Sequence, residues 1–262
     1  MDKGALLDRL GAAGEERLAL SRVLDRYEQS RRRGTGEATD FLTPQQRLRS
    51  LELLRLAGAG ESDYVCTGGY PEAERQVILF LPDWLEEPEE ELAFLRAAFH
   101  GGDSSLTHRD VLGSLMGLGV TRERVGDILI SDHSADVVVA PSLVEFLLQN
   151  WDSAGRVRLE VSLIGREELT APQVQVKEVR DTVSSLRLDA VVASAFSLSR
   201  GKAAELIAAG KVAMDHVPCE KGDKPVAEGA VISVRGLGKA RLTECGRVTK
   251  KGRIALTIER YV

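Results

Sequence analysis

The apolar positions of this chain change rhythm along the sequence. Near the start, Leu6, Leu7 and Leu10, then Leu18, Leu20, Val23 and Leu24, recur at the spacing of an amphipathic helix, so residues 1–74 read as a helical region. The run Ser30-Arg31-Arg32-Arg33-Gly34-Thr35-Gly36 interrupts that spacing and is expected to be a loop. Thr43-Pro44 signals a helix start, with Thr43 as cap and Pro44 at the first helical position. That helix carries Leu48, Leu51 and Leu54 and is expected to stop near Gly58. Gly68-Gly69 and Pro71 mark a turn.

The middle of the chain is different. Gln76–Leu81 is short, apolar and closed by Pro82, which predicts a strand, and residues 83–91 are acidic and expected to be exposed. Leu92–Phe99 is expected to be a strand, although its Leu and Ala content is equally compatible with a helix. Thr107 caps a helix to about Met116, with Asp110 at the capping-box position. Asp127–Ser131 and Ala135–Ala140 flank Asp132-His133-Ser134 as the two arms of a hairpin. Pro141-Ser142 opens a helix to about Trp151, and Arg156–Ile164 alternates as a half-buried strand does. The resulting order, β-α-β-β-α-β, is that of the ferredoxin-like plait, which is also the RNA-recognition-motif topology. It assigns an RRM-like α/β plait to residues 75–170. Many unrelated functions use this plait, so topology alone names none of them.

Residues 171–182 are expected to be a linker, although Val174–Val179 alternates and also fits a last strand. In residues 183–262 a first apolar helix follows Leu186-Arg187-Leu188-Asp189. A second opens at Ser199-Arg200-Gly201-Lys202, with Ser199 as cap, and ends at Gly210. Short strand patterns then follow at Lys211–Asp215, Val231–Arg235 and Ile254–Ile258. The fold class is therefore α+β: a helical N-terminal segment, a plait, and a module of two short helices with a small β-sheet.

Composition sharpens this picture. The chain has 262 residues, 43% apolar and 29% charged, which is globular and long enough for two or three small domains. No window approaches the roughly eighteen consecutive apolar residues of a membrane span. The N-terminus is charged every few residues, unlike a secretory signal, and is too acidic for a transit peptide. Cys66, Cys219 and Cys245 lie far apart without a C-x-x-C, which argues against disulfides and a thiolate zinc site and for a cytoplasmic protein. The net charge of −5 is unevenly spread: residues 183–262 hold 14 Lys and Arg against 8 Asp and Glu, a net of +6, on a body of −11. Any polyanion is therefore expected at the C-terminal module.

The C-terminal spacing R-L-D, nine residues, S-R-x-x-A-x-x-L-I-x-x-G-x-V, and then Arg235-Gly236-Leu237-Gly238-Lys239, resembles the S-four RNA-binding domain, also called the alpha-L motif. The rest of the chain resembles the YlmH family. The resemblance rests on Gly68-Gly69-Tyr70 with Ala73-Glu74-Arg75, on His108-Arg109-Asp110-Val111-Leu112-Gly113, on Leu118-Gly119-Val120 with Arg122-Glu123 and Gly126-Asp127-Ile128, and on Thr249-Lys250-Lys251-Gly252-Arg253. It implies a non-enzymatic RNA binder of the ribosome. Some family members act on large subunits that still carry peptidyl-tRNA. The implied partners are structured ribosomal RNA, tRNA and the large ribosomal subunit, without a membrane. The chain departs from the family at Asp215, where Asn is usual. A carboxylate there either repels phosphate or merely shapes a turn, since Asp and Asn both tolerate left-handed backbone.

The candidate residues follow from charge and position. Arg200 and Lys202 open a helix, where free N–H groups suit a phosphate but two cations oppose the macrodipole. Arg187 is placed near the same face by the family fold, and Asp189 reads as a structural cap or arginine partner. Lys211 could reach the groove or pair with a helix C-terminus. Arg235, Lys239 and Arg241 surround a glycine turn, and Lys250, Lys251 and Arg253 form a basic tip. With Ser199 these make up the expected RNA-binding set. His108, Arg109, Arg122 and Arg124 are a possible second surface, and Arg31–Arg33 a solvated loop or further contact.

Enzyme signatures are missing from this inventory. The four histidines, His100, His108, His133 and His216, show no metal-ligand spacing, and there is no G-x-S-x-G, Walker A or dinucleotide fingerprint. His108-Arg109-Asp110 is no kinase loop, because position 115 is Leu rather than Asn. The chain is expected to be no enzyme and to take no metal, cofactor or small-molecule substrate. Two alternatives stay open: an RNA-modifying enzyme of pseudouridine synthase or methyltransferase type, or an adaptor in cell division or membrane-complex assembly.

Overall fold

The computed structural model describes residues 2–82, 84, 91–99, 106–170, 176–249 and 252–261. The chain divides into two compact units, Met1–Pro172 and Gln173–Val262, each with its own core. Lys250, Lys251 and residues 85–90 of the acidic run lie outside the described residues.

The first unit opens with helices α1 (Lys3–Arg9) and α2 (Gly14–Arg33), whose buried leucines meet across Leu6, Leu7, Leu20 and Leu24. The loop expected from Ser30 is corrected here, since α2 runs on through Arg33. Its arginines occupy the last turn, where cations suit the helix dipole, and Gly34 ends the helix in the left-handed region at φ +64°. The buried Ser30 hydroxyl donates to the Thr35 carbonyl. Helix α3 (Pro44–Leu56) starts at a complete capping box between Thr43 and Gln46, a feature worth about 1 kcal/mol.

Three short strands, β1 (Glu37–Ala38), β2 (Tyr64–Thr67) and β3 (Val77–Phe80), form an antiparallel sheet in the order β1-β3-β2. The strand expected at Gln76–Leu81 is thus the centre of this small sheet rather than part of the plait. Both of its faces are apolar, as burial on two sides requires. Ile78 and Phe80 pack toward Val23 and Leu54, while Val77 and Leu79 pack against Phe41, Phe94 and Val138.

The plait follows: β4 (Ala93–Ala98), α4 (His108–Gly117), β5 (Val125–Ile130), β6 (Ser134–Val139) and α5 (Val144–Asn150), then β7 (Ser153–Ala154), β8 (Val157–Arg158) and β9 (Glu160–Ile164). The single strand expected over 156–164 is interrupted at Leu159, which turns into the core while β7 and β8 make a small hairpin. The sheet order is β5-β6-β4-β9, all antiparallel, as the β-α-β-β-α-β reading requires. Leu95, Ala97, Val137 and Val139 face the helices.

In the second unit, β10 (Val176–Val183) pairs with β15 (Ile254–Tyr261) along its whole length. The expected linker is therefore largely strand. Val179 opposite Ile258 and Val183 opposite Ile254 face the core, Arg180 and Thr182 fall on the other face, and the Asp181 carboxylate accepts from the Ser194 hydroxyl. Helices α6 (Leu188–Ala195) and α7 (Arg200–Ala208) precede β11 (Val212–Met214), β12 (Val217–Pro218), β13 (Val231–Val234) and β14 (Gly238–Val248). The sheet order is β10-β15-β14-β13-β11-β12. Val191, Ile207, Ile232, Leu242 and Ile258 fill the space between helices and sheet.

Candidate nucleic-acid interface

Helix α7 begins as expected, with Ser199 Oγ accepting from the Lys202 N–H at 3.2 Å. The hydroxyl is thus a helix cap first. Asp189 lies in the first turn of α6 and is nearly buried. Its carboxylate accepts from Arg187 Nε and Nη2 at 3.3 and 3.2 Å. It also accepts from Arg200 Nη2 at 3.0 and 2.9 Å. Burial works against its charge, but the bonds from Arg187 and Arg200 win, and the carboxyl is held below its ordinary range. The two guanidinium side chains keep 44% and 54% of their surface exposed. One carboxylate thus joins two helices and leaves the remaining Arg200 donors without a partner among the described residues. Lys202 lies beside them, paired with Glu205 at the surface.

A third segment joins this place. The Leu188 N–H donates to the Lys224 carbonyl and the Asp189 N–H to the Gly222 carbonyl, both at 2.9 Å. The loop carrying Lys221 and Lys224 is thereby laced beside Arg187. Lys221 is exposed with no partner among the described residues, and Lys224 Nζ lies 3.4 Å from Cys219 Sγ. Neither lysine stands out in the sequence, because only the backbone ladder brings this distant loop alongside residues 186–189.

The other expected residues are not gathered there. Lys211 and Arg235 are exposed neighbours, the Arg235 N–H donating to the Lys211 carbonyl. Lys239 and Arg241 alternate with the buried Ala240 and Leu242, so they lie on the sheet face away from the helices. There Lys239 stands over the Tyr261 ring and Arg241 is cross-strand from Glu259. Arg253 donates to Thr182 of β10. Asp215 and His216 both take left-handed backbone, φ +50° and +65°, in a two-residue hairpin turn. Asp215 Oδ1 accepts from the Val231 N–H at 2.9 Å, so the carboxylate shapes the turn.

In the first unit the expected second surface divides. His108 and Arg109 are exposed at the start of α4, which Thr107 and Asp110 close with a capping box. Arg122 instead turns inward and donates to the carbonyls of Val125 and Gly126. Arg124 is held by Asp40 and Ser142. The motif residues around Tyr70 also turn inward. The Asp127 carboxylate accepts from the Tyr70 hydroxyl at 2.8 Å and from the N–H groups of Glu74 and Arg75. Burial, with Asp127 alongside, pushes the Tyr70 phenol up. Arg75 donates to the carbonyls of Phe41, Arg122 and Val125, and burial beside Arg122 pulls its guanidinium down to about 10. Gly69 takes φ +93° here, and a Cβ on it would strike the Phe94 ring. These motif residues build a scaffold.

RNA-recognition plaits stack bases on the sheet face opposite their helices. Here that face is closed. Phe94 and Val138 lie under Phe41, Val77 and Leu79, and Arg166 sits over the Phe94 ring. The neighbouring pair, Arg96 and the fully buried Asp136, is bidentate at 2.7 Å and covered by Glu168 and Thr170. Among the described residues no group of three or more His, Cys, Asp or Glu could hold a metal ion, and no helix is long and apolar enough to cross a membrane.

A two-helix module on a small antiparallel sheet, with paired arginines between its helices, defines an S4-domain protein, and residues 186–232 match the S4 domain model. Residues 15–83 match the model "YlmH, N-terminal" and residues 91–168 the model "Putative RNA-binding domain in YlmH". The chain is 34% identical over 224 residues to Ribosome-associated protein quality control protein P2 of Bacillus subtilis (strain 168), a match covering 85% of this chain and 86% of that protein. The chain belongs to the YlmH family. It shares its fold with the cell division protein ylmH from Streptococcus pneumoniae at a TM-score of 0.50 and 19% identity, over 60% of this chain and 94% of that one.

Proposed function

We propose that this chain is a non-catalytic, cytoplasmic RNA-binding factor of the ribosome. It would hold structured ribosomal RNA or tRNA on the large subunit that still carries peptidyl-tRNA. The observation that carries this reading is the exposed pair Arg187 and Arg200, ordered on Asp189 beside Lys202. Two fixed guanidinium groups suit phosphate oxygens, and the module around them is the basic part of an acidic chain. The name of the Bacillus relative supports the ribosomal setting. Selective stabilisation is mechanism enough: the factor favours the ribosomal state whose RNA it fits best.

Co-sedimentation of tagged protein with ribosomes at low magnesium, with sequencing of the bound RNA, tests this. Co-migration with the large subunit and recovery of tRNA are expected. Arg200→Gln with Lys202→Glu should abolish that co-migration and leave the thermal melt nearly unchanged. Gln at 200 is chosen because Glu would face Asp189. Four to six phosphate contacts on a single strand would give a log–log salt slope of roughly −3 to −4. Migration at the top of the gradient with no enriched RNA would overturn the reading, and methyl transfer from labelled S-adenosylmethionine to RNA would overturn its non-catalytic part.

A further inference from the structure

Counted as charge, Asp189 looks like a defect in an RNA-binding surface, because it cancels one of its two arginines. Its geometry points the other way. The carboxylate accepts from Arg187 and from Arg200, which belong to different segments, at 2.9 to 3.3 Å. Its own N–H is bound to Gly222 of the lysine-bearing loop. Gly222 lies so near that a Cβ there would be 3.3 Å from Asp189 Cβ. A single residue therefore ties residue 187, the first turn of α7 and loop 221–224 together. Arginine side chains are long and rotamer-rich, and two neighbouring guanidinium groups repel. A carboxylate between them offsets the repulsion and removes rotamer freedom before the ligand arrives.

We infer that Asp189 is a positioning residue for RNA: it fixes the spacing and orientation of Arg187 and Arg200, so that the surface reads the shape of a folded phosphate backbone rather than merely attracting polyanions. This deepens the RNA-binding reading and rests on it. The two views give opposite signs for one substitution. Asp189→Asn makes the surface more positive by one charge, so attraction alone would tighten binding to every RNA. Positioning requires it to weaken binding to folded RNA while an unstructured strand binds as well as before or better.

The test measures the full chain against a tRNA transcript and against polyuridylate, at several salt concentrations. For Asp189→Asn we expect about tenfold weaker binding to the transcript and no loss on polyuridylate. Arg187→Lys, which keeps the charge but not the paired donors, should shift the same ratio in the same direction, and it stands in if Asp189→Asn fails to fold. Asp189→Glu should recover part of the transcript binding. Equal or tighter binding of Asp189→Asn or Arg187→Lys to both RNAs would overturn the inference and leave the RNA-binding reading intact. If the unaltered chain binds neither RNA, the RNA-binding reading falls and this inference with it.

Discussion

Three arginines of the first unit and two of the second are used in opposite ways. In the first unit Arg75, Arg96 and Arg122 point inward and give their donors to backbone carbonyls or to a buried carboxylate. In the second, Arg187 and Arg200 share one carboxylate and keep about half of each side chain in solvent. An inward arginine bound to backbone carbonyls or to a buried carboxylate stiffens the fold. An outward arginine held at one edge keeps donors for something else. Both kinds occur inside motif-like strings, so residue type alone does not separate them. What holds each guanidinium, and how much of it stays in solvent, does.

The sharpest way to break this comparison is to remove one arginine of each kind. Arg75→Met strands the carbonyls of Phe41 and Arg122 and takes one of two donors from that of Val125, so we expect about 3 kcal/mol of destabilisation in urea unfolding of the full chain. Arg187→Met should lower stability by about 1 kcal/mol or less, because its ion pair is half exposed, yet it should weaken RNA binding. Equal stability losses would erase the distinction.

A second prediction uses acid. Burial opposes the charge of Asp136, but the bonds from Arg96 and the Thr170 N–H hold its carboxyl below the ordinary range. A depressed folded value means that the stabilisation is fully present above the unfolded value, about 3.9, and is lost as pH falls through the folded value. The stability gap between the wild-type chain and Asp136→Asn should therefore be constant near neutrality and shrink below about pH 4. A gap that widens in acid would show that the carboxylate is not held charged.

The smallest effect belongs to the hairpin turn. Asp215→Asn keeps both the left-handed tolerance and the acceptor for Val231, so stability should move by less than about 0.5 kcal/mol. Asp215→Ala loses both and should cost about 1 to 2 kcal/mol in the same unfolding assay.

Much of the fold is legible in the sequence because its signals are local. Thr43-Pro44, Thr107 with Asp110, and Ser199 with Gly210 each set a helix end by bonds within a few residues. Alternation around Asp132-His133-Ser134 gives the hairpin and, with it, the plait order. The loop expected at Arg31–Arg33 differs because a charge run is read as solvated, while a helix C-terminus accepts it. The strand at Val176–Val183 depends on a partner some eighty residues away, which alternation alone cannot name. The candidate interface is legible only in its centre. Arg187, Arg200 and Lys202 lie on a local spacing, whereas Arg122 turns inward and Lys239 and Arg241 fall on the other sheet face for reasons of packing and pleat.

The covered sheet face has a practical meaning for anyone who dissects this chain. A fragment beginning at the plait would strip Phe41, Val77 and Leu79 from Phe94 and Val138, inviting aggregation of a piece that looks like a domain by sequence alignment. Truncation should instead respect the division at Pro172 and Gln173, where each half retains its own core.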